Sequence, residues 1–89
     1  MSDILFSGMK KIFANQEAQS IYNLAYLDTP QTRLQFEKEL IIMWKENNIF
    51  LMAAMRNQYH QVMKIATSKK PMDWAVGLLR KHKIVSEFE

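Results

Sequence analysis

Residues 40–55 constrain this chain more than any other stretch. Leu40-Ile41-Ile42-Met43-Trp44 is apolar, Lys45-Glu46-Asn47-Asn48 is polar, and Ile49-Phe50-Leu51-Met52-Ala53-Ala54-Met55 is apolar again. A helix turns once in about 3.6 residues, so a polar block of this length faces every direction around the axis. The flanking blocks are apolar in every direction, which is the pattern of elements enclosed by neighbours. One straight helix cannot easily be enclosed, wetted on all sides and then enclosed again. Two helices joined at Asn47-Asn48 can.

The remaining composition sets the fold class. Hydrophobic residues make up 48% of the 89, and there are only two glycines and two prolines. That supplies a core and few chain breakers, so helix is favoured over sheet and over disorder. No stretch alternates as a strand would. The expectation is one all-α domain spanning 1–89, a compact bundle of four to five short antiparallel helices with a helical-hairpin bend near Asn47-Asn48. A chain this short buries only about 60–65% of its unfolded surface, so its stability should be modest unless it oligomerises.

Local signals place the elements. Ser2 and Asp3 suit the start of a first helix, with Ile4, Leu5, Met9, Ile12 and Phe13 on one stripe. Asn15 can cap a second carrying Ala18, Ile21, Tyr22 and Ala25, and residues 2–28 are open to being one bent helix or two. Thr29 caps the third and Pro30 takes its first position, where a missing N–H costs nothing. That helix reaches about Lys45, with Leu34, Glu37, Ile41 and Trp44 on one side and Phe36, Leu40 and Met43 beside them. The fourth begins near Asn48 and follows Met52, Met55, Tyr59, Val62, Met63 and Ala66 until Lys69-Lys70-Pro71 stops it. The fifth starts at Pro71, uses Met72, Ala75, Val76 and Leu79 as its apolar side, and ends on Arg80-Lys81-His82-Lys83, cations suited to a helix C-terminus. Ile84, Val85 and Phe88 should pack back on it. Gly8 and Gly77 are expected to let neighbouring helices approach closely.

Several chemistries are excluded. Without cysteine there is no disulfide and no thiolate ligand. Two isolated glycines cannot form a phosphate-cradling loop. His60 and His82 lack ligand spacing, no serine sits in a nucleophile-elbow pattern, and Glu37 and Glu39 point to different helix faces. The chain is therefore read as no enzyme, with no cofactor, metal or small-molecule substrate. Met1-Ser2-Asp3 is not a basic leader, and the longest apolar run, Ile49 to Met55, is far shorter than the about 20 residues that cross a bilayer. A cytoplasmic protein without a membrane span is expected.

Two surfaces remain as functional candidates. The first is apolar: Ile42, Trp44, Phe50 and Met52 point in too many directions for one small bundle to cover. They favour a non-enzymatic helical binding or regulatory protein, of the inhibitor, adaptor or immunity type, that docks onto a protein partner or a second copy of itself. The seven methionines fit core filling first and an adaptable docking surface second. The alternative surface is basic. Between Arg56 and Lys83 the cations Arg56, Lys64, Lys69, Lys70, Arg80, Lys81 and Lys83 face Asp73 alone. They could meet the phosphates of a nucleic acid, with Tyr59 or Trp74 available for stacking. The fifth helix offers Trp74, Val76, Leu78 and Leu79 rather than side chains that read base edges, so a nucleic-acid-binding regulator of this kind would be weakly specific.

Overall fold

The structure is a computed structural model that describes residues 16–87. Expectations for Ser2, Asp3, the Ile4–Phe13 stripe, Gly8, Asn15 and Phe88 lie outside the described residues. The fold is all-α. Among the described residues there are four helices and no strand: α1 over 16–23, running into a 3-10 turn at Leu24–Tyr26, then α2 Pro30–Lys45, α3 Ile49–Lys64 and α4 Asp73–Lys81. None of these helices is long and apolar enough to cross a membrane.

The start of α2 follows from three adjacent residue types. Thr29 Oγ1 accepts from the Thr32 amide at 3.1 Å, and Thr32 Oγ1 accepts from the Thr29 amide at 3.1 Å. Each hydroxyl thus satisfies an amide that the first turn would leave unpaired, and Pro30 has no such amide to satisfy. At the far end Asn47 takes a left-handed backbone, with φ of 51°. The Asn48 amide then donates to Met43 O at 2.9 Å and the Asn47 amide to Trp44 O at 3.1 Å, closing the helix as a Schellman motif. Asn48 has a different task. Its side chain accepts from the Leu51 amide at 3.2 Å and so caps α3.

Two helix boundaries differ from expectation. The third helix, α3, ends at Lys64, ahead of Lys69-Lys70-Pro71, because Ile65 is already extended. Lys70 Nζ reaches back to donate to Val62 O and, at 2.8 Å, to Ile65 O. An ammonium therefore supplies hydrogens that a continuing helix would have taken from its own amides. Met63 is left exposed, and Ala66 falls outside the helix. The last helix, α4, begins at Asp73 rather than Pro71, after Met72 as its N-cap. The Met72 amide is committed elsewhere, donating to Ala25 O at 2.9 Å, and the Tyr26 hydroxyl donates to Lys69 O at 3.2 Å. Residues 65–72 are thereby tied to the end of α1.

The core draws on every element. Ala18, Ile21, Tyr22 and Ala25 meet Phe36, Leu40 and Met43 of α2, Leu51, Met52, Met55 and Tyr59 of α3, and Ala75 and Leu79 of α4. Ile84 and Val85 pack back on this core, as expected. They do so through a second Schellman closure. Lys83 is left-handed at φ 58°, the Ile84 amide donates to Leu79 O at 2.8 Å, and the Lys83 amide donates to Arg80 O at 3.1 Å. Ile84 and Leu79 are both buried, the apolar pairing that accompanies this motif. Lysine holds here a backbone conformation that glycine adopts at lower energy.

Gly77 departs from its expected role. It lies exposed on α4 without a positive φ, and a Cβ built there meets nothing within 4 Å. Among the described residues no helix approaches it closely, so no packing there offsets glycine's backbone entropy. Gly77→Ala should raise stability by about 0.5–1 kcal/mol, read as a higher urea midpoint by circular dichroism. A midpoint that stays put or falls would show that Gly77 has another role.

Candidate functional site

Two apolar stripes run along α2, and only one is used internally. Phe36, Leu40 and Met43 are buried. Leu34, Ile41 and Trp44, spaced by seven and three residues, share the other side and are 72%, 39% and 47% exposed. The exposed cations Lys38 and Lys45 lie on the same side of the helix. Just past the bend, Ile49 and Phe50 begin α3 with their side chains outward, Phe50 at 61% exposure. Of the four residues expected to form an apolar docking surface, Trp44 and Phe50 are thus exposed and Ile42 is half-buried. Met52 is in the core at 5% exposure and contributes to packing instead. Sequence reasoning passed over Leu34, Ile41 and Ile49. Their spacing was visible, but two equally apolar sides on one helix give no sign of which faces inward.

Trp44 is exposed yet anchored. Its indole N–H donates to His82 O, at the end of α4. Beside it, Glu37 Oε2 receives Lys81 Nζ at 3.0 Å and lies 2.8 Å from His82 Nε2. Hydrogen bonds from His82 and then Lys81 hold the Glu37 carboxyl below its ordinary range. The exposed stripe of α2 therefore has Lys38 and Lys45 along it and Lys81 at its margin, with the acid in its middle already engaged.

The basic residues divide into groups with different duties. Lys70 closes α3, as described. Lys69 Nζ lies 5.6 Å from the Tyr26 ring centroid, a cation–π distance. Lys81 is paired with Glu37. Arg56 donates Nε to Ile84 O at 2.9 Å. Arg56, Arg80 and Lys83 line one cleft of about 470 Å³ together with residues 84–87. Lys64 is exposed on the last turn of α3. The stacking partners foreseen for a nucleic acid are not presented. Tyr59 is buried, and Trp74 is half-buried with the Phe36 ring edge-on at 5.5 Å and the Arg33 guanidinium at 5.6 Å.

No protein-family model matches this chain, and no curated protein or solved structure matches it either.

Two outcomes follow from the α2–α4 contacts. Trp44→Ala removes one hydrogen bond and a half-buried indole, so it should cost about 1–2 kcal/mol in chemical denaturation, less than a core tryptophan. A loss above about 4 kcal/mol would place the indole deep in the core instead. The second outcome concerns acid. Because Glu37 ionises more readily folded than unfolded, its stabilisation is complete above the ordinary carboxylate range and is lost as pH falls through its lowered value. The melting temperature should drop more steeply with acid in the native protein than in Glu37→Gln. Parallel curves for the two would remove Glu37 from the account.

Proposed function

We propose that this protein is a non-enzymatic helical binding protein that docks the outward side of α2, continued by the start of α3, onto a protein partner. The observation that carries the proposal is the exposure of Leu34, Ile41, Trp44, Ile49 and Phe50 on adjoining elements of a small domain. A chain that fills its core with Phe36, Leu40 and Met43 has no folding need for a second apolar stripe on the same helix. Lys38 and Lys45 along this stripe favour a partner whose apolar seam has an acidic margin. A second copy of the chain is the simplest alternative occupant. The same reading takes α2 and α3 as an antiparallel hairpin within a compact helical bundle, supported by a C-terminal closure and an N-cap on neighbouring asparagines. A cysteine-free chain of this kind suits the cytoplasm.

The nucleic-acid reading draws less support from the geometry. Lys69, Lys70 and Lys81 are engaged within the fold, so the seven cations do not make one continuous track. Tyr59 offers no ring face to a base.

The test uses charge at exposed positions, where the fold should tolerate it. Leu34→Lys and Ile41→Lys should leave the helical spectrum and melting temperature nearly unchanged. They should abolish self-association in sedimentation or retrieval of partners from the native cell. A native protein that stays strictly monomeric and retrieves nothing would overturn the proposal, as would retrieval equal in the native protein and both variants.

A further inference from the structure

Lys38 and Lys45 stand at regular places beside the exposed stripe of α2. Each follows a stripe residue by four positions, Lys38 after Leu34 and Lys45 after Ile41. Leu34, Ile41 and Trp44 are spaced as the seam of a two-helix contact, and the lysines occupy its flank, where charge selects the facing helix. Three and four positions from Lys38 lie Leu34, Gln35, Ile41 and Ile42, and from Lys45 lie Ile41, Ile42, Asn48 and Ile49. Neither lysine thus has an acid at a spacing that lets helical neighbours meet. The adjacent Glu39 and Glu46 lie about 100° further round the axis, and Glu39 already accepts from Gln35 at 2.7 Å. Glu37 is held by Lys81 and His82. Among the described residues neither ammonium has a hydrogen-bond or ion-pair partner.

That placement disfavours a second copy of the chain. Antiparallel pairing of two stripes would set Lys38 of one copy against Lys45 of the other, and parallel pairing would set Lys38 against Arg33. Like charges facing across a seam oppose association and exclude such a partner. Residues 1–15 supply no acidic margin either, with Lys10 and Lys11 against Asp3 alone. Trp44 disfavours a lipid surface. A tryptophan at a bilayer interface turns its N–H toward the headgroups, whereas this N–H is committed to His82 O. The same bond holds the exposed part of the ring in one pose, as suits an aromatic anchor in a protein interface.

We infer, on the basis of the docking role proposed above, that the occupant of this stripe is an amphipathic helix of a different protein, with carboxylates flanking its apolar seam where they meet Lys38 and Lys45. The two lysines select that partner and keep copies of this chain apart, while Leu34, Ile41 and Trp44 supply the apolar contact.

A charge-reversed copy of the chain, Lys38→Glu with Lys45→Glu, carries the partner's chemistry on the same helix and serves as the probe. Native protein alone and the reversed copy alone are expected to sediment as monomers, and an equimolar mixture to form a heterodimer. Lys38→Glu by itself leaves the last turn of α2 unchanged and should associate with native protein in the same way, more weakly. Adding Leu34→Lys to either component, or raising salt from about 50 to 500 mM, should weaken the complex at least about tenfold. Native protein that associates with itself as strongly as with the reversed copy overturns the inference and leaves the docking role standing. A mixture that does not associate also overturns it, and the docking role falls with it only if Leu34→Lys retrieves partners as the native protein does. Binding of phosphatidylserine vesicles by native protein but not by the reversed copy would overturn both, in favour of a lipid surface.

Discussion

Side chains from α2 and α3 converge on the few residues that end α4 and follow it, and the rest of the architecture leans on that convergence. Glu37 and Trp44 of α2 take hold of Lys81 and His82, while Arg56 of α3 takes hold of Ile84. Each contact joins residues at least 28 positions apart in sequence. Directly beneath, Leu79, Ile84 and Val85 are in the core. A polar clasp therefore sits over an apolar plug, and each fixes the other. The plug orients the carbonyls that the clasp must find, and the clasp satisfies carbonyls that a helix end would otherwise leave to water.

This arrangement separates the surface into two parts of different character. On α2 the clasp lies at the margin of the exposed Leu34–Ile41–Trp44 stripe and neutralises Glu37, the carboxylate that would otherwise interrupt it. Beyond α4, His82 O and Ile84 O accept from Trp44 and Arg56, and Arg56, Arg80 and Lys83 line a cleft. One set of contacts thus uncovers an apolar face on one side and concentrates positive charge on the other.

Much of this was legible in the residues, for reasons that can be named. Thr29-Pro30 marks a helix start because its effects are local, a hydroxyl acceptor followed by a residue without an amide. Asn47-Asn48 marks a break because asparagine tolerates a left-handed backbone and its amide group caps a helix. What could not be read depends on distant partners. Residues 65–68 carry no breaker, yet α3 stops short of them, where Ile65 is extended and Lys70 folds back on the last carbonyls. Met52 and Phe50 are both apolar and close in sequence, yet one is enclosed and the other is outside, a choice set by which neighbours α3 meets. Likewise the cations between Arg56 and Lys83 look alike in sequence. Their separation into a helix cap, a ring contact, an ion pair and a cleft lining is a tertiary result.

The lysine that closes α3 has a chemical corollary. Its amine is a structural donor to two main-chain oxygens, so the closure lasts only while that nitrogen keeps its hydrogens and its charge. Acylation of Lys70 would remove the charge and leave one N–H, too few to serve the oxygens of both Val62 and Ile65. Since residues 65–72 also hold Tyr26 and Ala25 at the end of α1, a single small covalent change on an exposed side chain would loosen two junctions of the fold at once.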